Sequence, residues 1–115
     1  MNQDVLQEFR TQILDGYHNA KQAHSEIFSG RKNCSVIIGH LSIASSHINA
    51  ARAIYVCNEV LTHYEFDPFF HAFSTFSDEV MTNIRTDHSH QWSDIEFQRF
   101  HDSYQDVASL LGVSL

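Results

Sequence analysis

The sequence predicts an all-α fold: an antiparallel helical bundle of three long helices plus a C-terminal helix, with residues 1–115 as a single domain. Three observations carry this reading. Apolar residues recur at steps of three and four along most of the chain, which is the period of a helix with one buried face. One Pro and four Gly leave too little turn punctuation for many short strands. A length of 115 residues suffices for one hydrophobic core and is too short for two.

The first helix is expected from near Val5 to Phe28, with Leu6, Phe9, Ile13, Tyr17, Ala20, His24 and Ile27 along one side. Ser29-Gly30-Arg31-Lys32-Asn33 ends it. Gly30 suits the left-handed position after a helix, and Asn33 suits the N-cap of the next. A connection this short makes the two helices antiparallel neighbours.

The second helix is expected from Cys34 to about His63, burying Ile37, Leu41, Ala44, Ile48, Ala51 and Tyr55. Gly39 lies inside it at a cost of about 1 kcal/mol relative to Ala. Ala44, Ser45, Ser46, Ala50, Ala51 and Ala53 let another backbone approach closely, so this segment is expected to make the tightest helix–helix contact.

The third helix, Asp67 to Arg85, organises the rest. Asp67 is expected as its N-cap and Pro68 as its first residue. Phe69, Phe73, Phe76, Val80 and Ile84 form an apolar face, while His71, Thr75, Asp78, Thr82 and Arg85 repeat the same steps on the opposite side. The polar run Thr86-Asp87-His88-Ser89-His90-Gln91 favours a break, the alternative being one bent helix past His90. Ser93 and Glu96 read as a capping box for a last helix that buries Phe97, Phe100, Tyr104, Val107 and Leu111.

Charge and composition narrow the function. A formal charge of −7 repels a phosphate backbone, so no nucleic acid is expected as a partner. No basic amphipathic stretch and no span-length apolar run occurs, and the first residues lack a signal-peptide pattern, so no membrane is expected either. Cys34 and Cys57 on one helix lie roughly 34 Å apart at about 1.5 Å per residue, beyond disulfide reach. Reduced cysteines point to the cytoplasm.

Nine histidines raise a metal site. His40 and His47 share a face, as do Glu59 and His63, and His88 lies beside His90. No Glu-x-x-His motif occurs, and both cysteines sit among apolar residues, so a dedicated zinc or di-iron site is not expected. Arg85-Thr86-Asp87-His88-Ser89-His90 fits the arginine, four residues, histidine pattern of HEPN-type ribonucleases, which are also small helical bundles. That resemblance implies Arg85 on the scissile phosphate and His90 moving the proton.

A third resemblance covers more of the chain. Gly16 and Ala20 lie on a helix ending near Gly30, Ile48-Asn49-Ala50-Ala51-Arg52 lies in an alanine-rich second helix, and Asp78-Glu79-Val80-Met81-Thr82-Asn83-Ile84 lies in the third. From Gly16 to Ile84 the layout resembles the enzyme IIA proteins of the lactose/cellobiose phosphotransferase family, helical phosphocarriers that form trimers. The last stretch looks like the family's Asp-His-Leu-Met-Thr, with a gap of one residue. The phosphorylated histidine of the family falls where this chain has Thr75, and Arg52 stands where the second helix normally ends an Ala-His pair. His71, one turn before Thr75, shares its face and is the candidate displaced acceptor. The resemblance thus implies a catalytic group of His71, Thr75 and Asp78. It also implies a divalent cation held by Asp78 at the axis of a homo-oligomer. The other reading is a non-enzymatic bundle acting through protein partners, with Trp92, Phe97 and Tyr104 expected as exposed aromatics.

Overall fold

The computed structural model describes residues 3–30, 32–62 and 64–112. Among them the chain forms five helices and no strand: α1 (Gln3–Ile27), α2 (Cys34–Cys57), the one-turn α3 (Glu59–Thr62), α4 (Asp67–Thr86) and α5 (Gln91–Leu111). Two hairpins, α1–α2 and α4–α5, make the most extensive pairings. They join more sparingly through α1 against α5 and α2 against α4, giving a rod 45 × 23 × 20 Å. The all-α bundle expected from the sequence is the observed architecture.

The stripes meet as the spacing dictates. Ile37, Leu41, Ala44, Ile48, Ala51 and Tyr55 are the buried residues of α2. Phe9, Leu41, Ile48, Phe69, Phe73, Phe76 and Val80 all enter one core. Gly16 lets α1 close on α2, since a Cβ there would stand 2.5 Å from Ile48 Cδ1. Of the small residues of α2, Ala44 and Ala51 are buried, whereas Ser46 and Ala53 face outward. The close contact is therefore made by part of that cluster only. Arg10 closes the far end by donating from Nε to the Leu111 carbonyl at 2.9 Å, a cation at a helix C-terminus.

Helix ends depart from the expectations in four places. Gly30 does not take the left-handed conformation, which among the described residues belongs to Asp87 and Gly112. Ser29 closes α1 instead, its amide and hydroxyl both donating to the Glu26 carbonyl. Asn33 caps α2 as expected, accepting from the Val36 amide at 3.3 Å.

α2 stops at Cys57 rather than near His63, and His63 itself lies outside the described residues. Asn58 is extended, and its side-chain amide donates to the Ile54 carbonyl at 2.7 Å. This is the local side-chain competition that makes Asn a helix breaker. The break turns Leu61 into the core.

Phe66, not Asp67, is the N-cap of α4, with Asp67 as the first helical residue. Burial decides this: the Phe66 ring is 1% exposed and meets Phe9 edge-on at 5.1 Å. Asp67 still places its charge at the positive end of the helix.

Asp87 ends α4 in the left-handed region, with the His88 amide donating to the Asn83 carbonyl at 3.0 Å. The short aspartate tolerates this conformation, so the break needs no glycine. α5 then begins at Gln91, and Ser93 is not its cap but a fully buried residue of the first turn. Phe97 and Tyr104 are buried too, which leaves Trp92, 60% exposed, as the one expected exposed aromatic that is exposed.

Two substitutions test the packing. Phe76→Ala is expected to cost roughly 3–5 kcal/mol in urea denaturation, as for buried aromatics generally. Gly16→Ala gains about 1 kcal/mol of helix propensity but overpacks Ile48 at a cost of about 1–3 kcal/mol. It should destabilise net, and adding Ile48→Val should recover part of the loss.

Candidate functional site

The groove between α2 and α4 collects the polar residues singled out above. Its floor is Ile48, Phe70 and Phe73, and its walls include Ser45, Asn49, Arg52, Ser74, Ser77 and Asp78. It continues into a wider mouth of about 410 Å³ where Arg52 faces His71, Ser74 and Asp67. The groove follows from side-chain size. The large side chains of α4 pack towards α5, and the α2 wall offers only Ser45, Asn49 and Arg52, so the two helices never close fully. Among the described residues Arg52 has no hydrogen-bond or ion-pair partner, and His71 is exposed on the first turns of α4.

Of the three residues expected to act together, His71 and Asp78 line this groove at different points along it. Thr75 is not among the lining residues. Its hydroxyl donates to the His71 carbonyl at 3.0 Å, inside its own helix. Thr75 is thus drawn into backbone bonding, which β-hydroxyl residues in helices favour. Ser74 and Ser77, with Ser45, Asn49 and Arg52 across the groove, are lining residues that the spacing of α4 alone did not reveal.

Arg85 and His90 do not form a paired site. Arg85 is exposed and donates to the Thr82 hydroxyl at 3.5 Å. His90 is 7% exposed at the N-cap of α5 and belongs to an internal network. Asn83 Nδ2 donates to Ser93 Oγ at 3.1 Å and to Glu79 at 3.0 Å, and Ser93 Oγ shares a hydrogen bond with His90 Nδ1 at 3.0 Å. The other His90 nitrogen, Nε2, is buried without a partner. Desolvation, then Lys32, lowers the His90 pKa below its ordinary 6.5, with Glu79 opposing.

The histidine pairs of the sequence also part company. His47 donates from Nδ1 to Gln12 Oε1 at 2.7 Å, whereas His40 Nδ1 is buried without a partner. Among the described residues no three His, Cys, Asp or Glu side chains are grouped to hold a metal ion.

A second groove, between α1 and α5, was not legible from spacing. His24 donates from Nε2 to Asp94 Oδ1 at 2.8 Å, and its ring stacks on Phe97 at 4.0 Å. Tyr17 stacks on Tyr104 at 3.7 Å and bonds through its hydroxyl to His101 Nδ1 at 2.5 Å. Burial, then Tyr104, raises the Tyr17 pKa, so the phenol keeps its proton. These partners lie 70 and 84 residues apart.

No protein-family model matches the chain, and no curated protein or solved structure gives a match. Cys34 and Cys57 are free and exposed at the two ends of α2. Among the described residues no helix is long and apolar enough to cross a membrane.

The buried His90 gives a pH dependence of fixed sign. A depressed folded-state pKa means that the unfolded chain binds the extra proton, so this contribution is complete above about pH 6.5 and is lost as pH falls below it. The urea midpoint should fall between neutral and mildly acid pH, and His90→Asn should flatten that dependence. An unchanged dependence in the variant would remove His90 as its source.

Proposed function

We propose that this protein works by contact with other proteins, and that it self-associates through the outer side of α2. The supporting observation is a second seam on that helix. Val36, Gly39, Ile43, Ser46, Ala50, Ala53 and Cys57 follow one another at alternating steps of three and four, on the side opposite the buried stripe. Val36 and Ile43 within the seam are large hydrophobics left at 40% and 48% exposure, and Val56, next to Cys57 in the chain, is left at 63%.

Gly39 strengthens the reading. A Cβ built there meets nothing within 4 Å, so no contact within the chain accounts for a mid-helix glycine. A second helix approaching closely would account for it. The charge pattern leaves this seam as a place where a second copy can dock. At −7, two copies repel over most of their surface, whereas the α2 seam itself carries no charged side chain.

Light scattering of the wild-type chain should return a multiple of 13.2 kDa, and Ile43→Lys should shift it towards the monomer. Asp78→Arg should leave the assembly intact, whereas a trimer through the His71-Thr75-Asp78-Thr82 stripe of α4 would come apart. A monomeric mass for the wild type at high concentration would falsify self-association.

A second reading rests on Arg52. An unpaired guanidinium facing an exposed imidazole, with the Ser74 hydroxyl beside them, is suited to hold a phosphoryl group on or near His71. In this reading the protein is a phosphocarrier like the enzyme IIA proteins, with the acceptor one turn earlier than in that family. Incubation with phosphoenolpyruvate and the general phosphotransferase components should add one phosphoryl group, seen by intact mass and lost in His71→Gln. No mass gain in the wild type rejects this reading and leaves the first untouched.

A further inference from the structure

The groove between α1 and α5 presents hydrogen-bonding groups of fixed polarity. His24 has Nε2 committed to Asp94 at 2.8 Å. A carboxylate only accepts, so Nε2 carries a proton, and in the neutral ring Nδ1 keeps its lone pair. His101 is the reverse case. Its Nδ1 lies 2.5 Å from the Tyr17 hydroxyl; an imidazole nitrogen is a far stronger base than a phenol oxygen, so the hydroxyl donates and the proton of the neutral ring sits on Nε2. Tyr17 cannot swing away, because its ring lies on Tyr104 at 3.7 Å with 3° between the planes.

Neither uncommitted nitrogen is sealed in. Among the described residues, the buried side-chain nitrogen and oxygen atoms without partners are His40 Nδ1 and His90 Nε2. Both rings line a groove of about 230 Å³, and Lys21 lines it with them. Lys21 is exposed and has no hydrogen-bond or ion-pair partner among the described residues. Asp94 is already bonded to His24. The groove thus offers an ammonium, a fixed N–H and a fixed acceptor, and is lined also by the Ser25 hydroxyl and the Gln98 amide, which adapt to either role.

A ligand that completes all three must carry negative oxygens and a hydroxyl. We propose that the α1–α5 groove binds a phosphomonoester group in its monoanionic form. Lys21 and His101 Nε2–H donate to its oxygens, and its P–OH donates to His24 Nδ1. Sulfate has the same shape but no hydroxyl at neutral pH, and would set an oxygen against the His24 lone pair. An unmatched acceptor of this kind weakens binding by roughly tenfold.

The test uses the full chain with isotope-labelled imidazoles, titrated with inorganic phosphate and separately with sulfate. Phosphate should shift the His24 and His101 ring nitrogens, with sulfate roughly tenfold weaker. Lys21→Gln should abolish the response. His24→Phe, which keeps the stack on Phe97 but lacks Nδ1, should bind both anions about equally. His71→Gln should change nothing, which separates this site from the α2–α4 groove. The proposal is overturned by absent ring shifts, by equal binding of phosphate and sulfate in the wild type, by a response that survives Lys21→Gln, or by one that vanishes in His71→Gln.

Discussion

Phe100 is a central contact between the two hairpins. Its ring is fully buried and lies 5.0 Å from Phe69, 5.5 Å from Phe73 and 5.7 Å from Tyr17. One side chain of α5 thereby touches both α4 and α1. Each such aromatic pair contributes about 0.5–1.5 kcal/mol beyond its buried area. What depends on it is register. Tyr17 reaches Tyr104 and His101 only because α1 is fixed lengthwise against α5. Asn83 reaches Ser93 only because α4 is fixed against the same helix.

The polar architecture follows from where that aromatic mass goes. α4 spends its phenylalanines on α5, leaving Phe70 and Phe73 as the floor of an open groove towards α2. The histidines divide accordingly. His90 is enclosed, with one nitrogen bonded and the other without a partner. His24 and His101 are oriented by a carboxylate and a phenol but keep one nitrogen accessible. His71 is exposed outright. The same side chain thus serves as packing material, as an oriented hydrogen-bonding group and as a surface nucleophile candidate, according to how many of its nitrogens the fold commits.

The buried stripes were legible in the sequence because a helix of regular pitch turns spacing directly into facing. Ile37 to Tyr55 and Phe97 to Leu111 are instances in which every named residue is buried. The helix ends were less legible, since each depends on a contact made elsewhere. Phe66 displaces Asp67 from the cap position because Phe9 and Tyr55 bury its ring. Ser93 resembles a cap in sequence, yet its hydroxyl is used by Asn83 from the neighbouring helix. The His24–Asp94 and Tyr17–His101 bonds join helices far apart in the chain, and no local period records them. Of the candidate residues, His71 and Asp78 were placed on the correct exposed face. The direction of the Thr75 hydroxyl was not readable, because rotamer choice inside a helix turns on the backbone carbonyl one turn back.

The two thiols give α2 a built-in polarity marker. Cys57 closes the outward seam at one end, and Cys34 begins the helix at the other, about 34 Å away by helical rise. If two copies meet along this seam in the same direction, each Cys57 lies opposite its own counterpart and a mild oxidant joins them. If they meet head to tail, Cys57 lies opposite the first turns of the partner helix, towards its Cys34, and the symmetric link cannot form. The natural cysteines therefore distinguish a parallel from an antiparallel pairing without any engineered label.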